Sequence, residues 1–479
     1  MSMKKNYFQT SQLLLLGGML LLAVLVGMAV PIFAGMAGDR YARLAALPAL
    51  FVLAALFAFN RPLLLLMIVL FRASGDIVLE TTRVAASGGF SPGLGGAINA
   101  LIILIAFLFV VEKPKRLPFY LVVPWLLLLA VATCGIVISP DKGPAVKMVL
   151  SMFSYFAVFI CAFYVVQTPE DFRKLVRLVI WSSVIPAMYA VVSVALNARG
   201  GLSNFRLQST FGHANILAFY LTLVVSLGLY VVKSPNFKTT QIQRIGLMGY
   251  MMFLLVLLLL TQTRSAWIAF FFLFFLYGLM FERRYLLYLI ALPILALLIP
   301  SVQERIMQLD AGNTVQTYAK LNSFAWRVLL WKSGFNWMST ARYLTGYGVE
   351  SFPYYSQVFF PLAGTVKWGA HNVYVQWFFD TGIIGMAAYL FVFYRVIKTL
   401  VKFYSLDKLG GFLLICAVAE YMIVSASDNL LAYLAFNWYF WLLAGMGCSV
   451  YFNSEAYRTE QASKSRALPK PDYGGLKNA

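Results

Sequence analysis

Apolar runs long enough to cross a bilayer recur along this chain from Leu13 to Phe452, and no other feature restricts the fold as tightly. A hydrocarbon core of ~30 Å takes roughly 20 residues of helix, and about 14 such runs can be counted. The first, Leu13 to Phe33, is too long for the apolar core of a signal peptide. No small-residue cleavage site follows it before Asp39, so it reads as the first span. With 61% hydrophobic and 12% charged residues, and a mean hydropathy of +0.79, the chain cannot be a soluble domain with a polar surface. The expectation is an all-α integral membrane protein.

A net charge of +20 raises the question of nucleic acid, yet the basic residues are scattered in short loops and not massed on one domain, so no nucleic-acid partner is expected. Their distribution reports topology. Clusters stand at Lys4 and Lys5, at Lys113, Lys115 and Arg116, at Arg173, Lys174 and Arg177, at Lys233, Lys238 and Arg244, at Arg283 and Arg284, and at Arg395, Lys398, Lys402 and Lys408. Basic loops face the cytoplasm. From Lys113 to Arg395 consecutive clusters are separated by two spans, and a consistent threading puts four before Lys113. Both termini then fall inside, with residues 1–451 forming one polytopic membrane domain. Residues 452–479, rich in Lys, Ser and Pro, form a disordered cytoplasmic tail.

The opposite face receives the loops Arg72 to Asn99, Ser139 to Gly143, Asn197 to Thr210, a tight turn at Thr261 to Ser265, and the long loop Ser301 to Ala370. That last loop carries Trp326, Trp331, Trp337, Tyr343, Tyr347, Tyr354 and Tyr355, which suits short helices at the membrane surface with aromatics at headgroup level. Within it, Asn322 to Trp337 has the pattern of an amphipathic helix. Cys134, Cys161, Cys416 and Cys448 lie inside apolar runs without CxxC spacing, so they are read as inert core residues.

The chain has two histidines, and both stand where a polar stretch becomes an apolar helix: His213 in RLQSTFGHANILAFYL and His371 in HNVYVQWFFDTGIIG, with Asn215 and Asn372 close behind. The threading puts Arg206, His213, Arg264, Arg327, Glu350 and His371, from four segments, at the level of one face. Arg264 is the sharpest case, because TQTRSAW joins two apolar runs through a few residues and pins its guanidinium near the helix ends. Plainer readings stand beside these. An arginine at a helix end commonly snorkels to lipid phosphate, which suits Arg206, and a histidine there is commonly a hydrogen-bonded structural residue, which suits His213. Gly346 and Gly348 lack the strand and helix of a phosphate loop and read as a turn.

Two distant histidines, no acidic pair on the outer face and no HExxH give no metal-binding set, so neither metal nor cofactor is expected. Arginines beside one imidazole, next to lipid and outside the cytoplasm, suit transfer from a lipid-linked diphosphate. Guanidinium groups bind the phosphates bidentately and stabilise the charge growing on the leaving group, while the imidazole takes the proton of an acceptor hydroxyl.

The segments RLQSTFGHANILAF, TQTRSAW, AWRVLLWKSGFNW, LTGYGVESF and AHNVYVQWFFDTGIIG, in this order and on this side, resemble the O-antigen ligase and Wzy-type polymerase superfamily over roughly Asn197 to Leu390. The resemblance implies an all-helical glycosyltransferase of the C type that moves a glycan from undecaprenyl diphosphate at the periplasmic face, with inversion. It assigns the general base to His371 and the diphosphate to Arg264 and Arg327, with Arg206 beside them and Arg342 as the alternative loop arginine. His213, Asn215, Asn372, Ser265, Tyr347 and Glu350 take supporting places. The acceptor is a second lipid-linked glycan for a polymerase or lipid A core for a ligase. The number of runs and the segment FRASGDIVLE, which looks like exopolysaccharide polymerases, tilt the reading toward a polymerase. A lipid-linked glycan flippase is the competing class, and it predicts charged residues near the bilayer midplane and repeated halves, neither of which is visible.

Overall fold

The computed structural model of the 479-residue chain describes residues 53–81, 94–197, 205–298, 303, 321, 323–455 and 457–459. The expected first span at Leu13 to Phe33, the basic pair Lys4 and Lys5, and residues 456 and 460–479 of the expected disordered tail lie outside the described residues, while 457–459 of that tail are helical. The chain divides into two compact units, Met1–Ile68 and Val69–Ala479. In the first, residues 53–59 are helical, and α1 (Arg61–Thr81) begins there and runs on into the second.

All regular structure among the described residues is helical. After α1 come α2 (Leu94–Glu112), α3 (Phe119–Ile138), α4 (Lys142–Val165), α5 (Pro169–Ser182), α6 (Val184–Asn197), α7 (Ala214–Lys233), α8 (Gln241–Leu260), α9 (Arg264–Met280) and α10 (Arg284–Ala296). The long loop contributes α11 (Ser323–Trp337) and α12 (Ser351–Phe359), and α13 (Val373–Tyr404), α14 (Lys408–Ser425) and α15 (Leu434–Phe452) complete the order. Eight segments of the described residues are long and apolar enough to cross a membrane, with Arg264–Met280 a shorter apolar helix. The described residues are therefore those of a helical integral membrane protein, with fewer spans among them than the about 14 apolar runs counted along the whole sequence.

Local chemistry sets the helix boundaries. Thr168 and Asp171 form a reciprocal capping box on α5, and Thr240 and Gln243 do the same on α8. Pro186 has no N–H to offer the carbonyl of Ser182, and the run from Pro169 to Asn197 accordingly breaks into α5 and α6. Nearly every residue of α15, and α4 from Ser154 to Tyr164, is buried. Here Trp125 of α3 meets Trp441 edge-on at 4.6 Å and Phe156 at 5.5 Å. Lipid is as apolar as this interior, so close packing and buried hydrogen bonds hold such helices together more than exclusion of water does. Tyr155 donating to the Leu431 carbonyl at 2.9 Å, and Trp438 to Ser154 Oγ at 2.9 Å, are bonds of that kind. Cys161, Cys416 and Cys448 are buried as expected, whereas Cys134 is exposed on α3.

Two departures from the sequence reading matter for the site. The outer loop expected at Arg72 to Asn99 is helical through Thr81 and again from Leu94, because buried partners from elsewhere in the chain accommodate its polar residues. And α13 is not continuous: Gly382, at φ 65 and ψ −162, interrupts it. The backbone groups released there are taken by the long loop. Tyr347 N donates to Phe379 O at 3.1 Å and Gly348 N to Asp380 O at 2.8 Å, while Ile383 N donates to Tyr343 O at 2.9 Å and Ile384 N to Leu344 O at 3.3 Å. The buried Asp380 carboxylate then accepts the N–H groups of Glu350 and Phe352 and the hydroxyl of Ser351, each at 2.9 Å, at the start of α12. Gly346, at φ +67, lies so close to the Asp380 backbone that a Cβ would overlap it. The loop is thus stitched to the segment that comes after His371.

Candidate functional site

His213 and Asn372 each cap the next helix in the chain. His213 Nδ1 accepts the backbone N–H of Asn215 at 3.1 Å at the start of α7, and Asn372 Oδ1 accepts that of Val375 at 3.1 Å at the start of α13. Acceptance at Nδ1 puts the proton of a neutral His213 on Nε2. Burial lowers the affinity of this imidazole for a second proton, and Arg206 and His371 add to that, outweighing the opposite pull of Asp428. His213 is consequently a neutral capping group.

A carboxylate that the sequence reading missed ties the neighbourhood together. Asp428, in the turn between α14 and α15, is 1% exposed and accepts hydrogen bonds from the Asn215 side-chain amide, from Tyr433 OH at 2.7 Å and from Asn429 N at 2.9 Å. Burial alone raises such a carboxyl, but the adjacent His371 imidazole, the Tyr433 hydroxyl and the Asn429 amide outweigh it and hold Asp428 below the usual carboxylate range. His371 Nδ1 lies 3.9 Å from Asp428 Oδ1, beyond hydrogen-bond reach and within range of strong charge attraction. The His371 side chain is 41% exposed, so a substrate can reach the ring that the buried carboxylate backs.

His371 occupies the left-handed region at φ 48. Such a conformation persists where the surroundings over-determine it, and here both flanks are tied. Ala370 N donates to Gln376 Oε1 at 3.2 Å, Ala370 O accepts Trp331 Nε1 at 2.6 Å, and the Asn372 amide donates to Ala426 O at 2.9 Å. Asn429 Nδ2 also reaches Gln376 Oε1, at 3.0 Å, so the His371 turn and the Asp428 turn are locked to each other.

Two arginines are tied to this pair, Arg206 through Asn215 and Arg327 through the Ser427 carbonyl. Arg206 is held through Nε by Thr261 O at 3.2 Å and through one terminal nitrogen by Asn215 Oδ1 at 2.8 Å and Thr263 Oγ1 at 3.4 Å. Asn215 therefore bridges Arg206 to Asp428, and Thr263 completes the bridge by donating to Asn215 Oδ1 at 3.1 Å. Arg264 comes directly after Thr263 as the first residue of α9, where helix N–H groups favour an anion. Arg327 of α11 donates to the Ser427 carbonyl at 2.7 Å and so stands beside Asp428. Arg342 instead lies over the Tyr347 ring at 5.6 Å.

The structure thus brings Arg206, His213, Asn215, Arg327, His371 and Asn372 around one buried carboxylate, with Arg264 at the adjoining helix start. Ser265 is the second residue of α9. Tyr347 and Glu350 belong to the stitched loop: Tyr347 stacks on Phe379 at 5.0 Å and its hydroxyl accepts Ser339 N, while Glu350 sits at φ 61 before α12. Burial pushes the Glu350 carboxyl up to about 7, with Lys147 opposing the shift and Asp141 adding to it. Asp428, Asn429, Tyr433 and Gln376 do not stand out in the sequence. The threading that assigns sides offers the one available signal, since it puts the turn SDNLLAY on the same face as His371. Among the described residues no group of three His, Cys, Asp or Glu side chains is arranged to hold a metal ion.

The O-antigen ligase family matches residues 249–390 of the chain. That span contains Arg264, Arg327 and His371 and bears out the resemblance read from the motifs, whereas Arg206, His213, Asn215 and Asp428 lie outside it. No curated protein matches the chain.

Proposed function

We propose, starting from the O-antigen ligase match and the residues gathered around Asp428, that the protein is a metal-independent inverting glycosyltransferase. It moves a glycan from undecaprenyl diphosphate to an acceptor hydroxyl at the periplasmic face of the bacterial inner membrane. His371 takes the proton of the acceptor hydroxyl as its oxygen attacks the anomeric carbon, and the bond from that carbon to the diphosphate oxygen breaks on the opposite side. The imidazolium so formed is stabilised by the Asp428 carboxylate 3.9 Å away. Arg264, Arg327 and Arg206 take the charge that develops on undecaprenyl diphosphate as it leaves. The observation that carries this reading is one buried acid joining an accessible imidazole to a hydrogen-bonded arginine scaffold.

For the acceptor, the segment FRASGDIVLE keeps a second lipid-linked glycan, hence polymerisation, as the first reading, while the name of the matched family favours lipid A core, hence ligation. The two are separated by incubating purified protein with labelled undecaprenyl diphosphate oligosaccharide, alone and with lipid A core, for wild type and His371→Ala. A product ladder from donor alone, lost in the variant, establishes polymerisation, and label passing only to lipid A core establishes ligation. No product in either tube refutes the transferase and returns the flippase to consideration.

A further inference from the structure

Helix α1 carries a buried polar cluster that the proposed transfer reaction does not use. In a regular α-helix the N–H of Ile77 and the carbonyl of Ala73 face each other. Here Thr210 engages both: its carbonyl accepts Ile77 N at 2.9 Å and its hydroxyl donates to Ala73 O at 2.7 Å. The residues just before these, Arg72 and Asp76, form an ion pair at 2.6 Å with side chains 6% and 9% exposed, and the other Asp76 oxygen accepts Gly212 N at 3.4 Å. The Arg72 guanidinium lies over Trp438 at 5.8 Å. Tyr439 OH donates to Leu70 O at 2.8 Å and accepts Ala73 N at 3.3 Å, which fixes this part of α1 to α15.

The strap held in this way is short, and both its ends carry residues of the candidate site. It begins at Arg206, is gripped at Thr210 and Gly212, and ends at His213, the cap of α7. Ser209, at φ 53, makes the turn between them and donates to Pro186 O. A buried ion pair is a weak source of stability, because desolvation offsets the attraction. The effect of this one is geometric: Arg72 orients Asp76, and Asp76 and Thr210 fix where the strap lies. We propose that Thr210, Asp76 and Arg72 are positioning residues that set Arg206 against the diphosphate of the donor, an inference that rests on the proposed transferase reading.

The test compares full-length wild type with Thr210→Val and with the apolar pair Arg72→Met plus Asp76→Leu, measuring KM separately for lipid-linked donor and for acceptor. Loss of the Thr210 hydroxyl leaves a buried carbonyl without its bond, which lowers the melting temperature by a few degrees, and donor KM rises about tenfold while acceptor KM stays at its wild-type value. Adding Thr210→Val to Arg206→Ala produces no further loss, because the hydroxyl acts through Arg206. Equal rises in both KM values, no rise in either, or an undiminished effect in the Arg206→Ala background overturns the proposal. Hydrogen exchange without substrate separates this result from failure of the transferase reading. Amides 206–213 exchange faster in Thr210→Val whatever the reaction proves to be, and unchanged exchange overturns the proposal by itself.

Discussion

Replacing Asp428 by Asn changes one atom and the charge, and the hydrogen bonds around it determine the consequences. The Asn oxygen can still accept Tyr433 OH and Asn429 N, but its new NH2 faces the Asn215 amide, which already donates. Relief requires Asn215 to turn its oxygen toward residue 428, and Arg206 and Thr263 then lose the acceptor they share. Leaving one such buried donor unsatisfied costs about 1–3 kcal/mol. The second contribution is electrostatic. Two unit charges 3.9 Å apart at an effective dielectric constant near 20 attract by about 4 kcal/mol, a ceiling that solvent screening of the half-exposed His371 ring lowers. The combined loss expected in kcat/KM is about 2 to 4 kcal/mol, or about thirtyfold to a thousandfold. Transfer from undecaprenyl diphosphate oligosaccharide by protein in proteoliposomes measures it, with melting temperature as the control for folding. If Asp428→Asn turns over within about threefold of wild type with intact folding, the carboxylate neither supports an imidazolium nor orders Arg206, and the reasoning is wrong.

The loop arginines are separable: Arg327→Ala, beside the Ser427 carbonyl, should lower kcat/KM by about a hundredfold or more, and Arg342→Ala, stacked on Tyr347, should stay within about twofold in the same assay. Gly346→Ala puts a Cβ into the Asp380 backbone at a φ of +67 and should destabilise the stitched loop by about 2 kcal/mol or more, seen as faster proteolysis between residues 340 and 370. The Glu350 carboxyl is raised from 4.5 to about 7, so its contribution to stability is complete below the lower value and is lost as pH rises through the upper one. Glu350→Gln should therefore flatten the fall in melting temperature across that window, and an unaltered pH dependence would assign the fall to another group.

Periodicity, length and charge asymmetry are one-dimensional properties, and they were enough to indicate a helical membrane protein and to put both histidines at the starts of apolar helices, whereas His371, Arg264 and Arg327 were given their roles by the resemblance to the O-antigen ligase family. Helix ends were legible for the same reason, since a polar residue before an apolar run satisfies N–H groups that the helix cannot, as His213 and Asn372 do. Asp428 was not legible. Nothing in SASDNLLAY marks it, because its importance comes from partners at positions 215, 371 and 433, which folding brings together from three parts of the chain. The break at Gly382 was hidden as well: a glycine inside an apolar run is tolerated in many helices, and only the loop at 343–348 supplies the bonds that allow an interruption here. For α1, the polar letters of FRASGDIVLE pointed to a loop, and the tertiary structure made them a buried helix by setting Thr210 and Tyr439 against its backbone. Sequence alone determined that the chain is helical and built for a membrane, because a segment that crosses lipid must satisfy its own backbone. Which polar groups face one another was decided only by packing, since a buried donor or acceptor takes its partner wherever the fold brings one within about 3 Å.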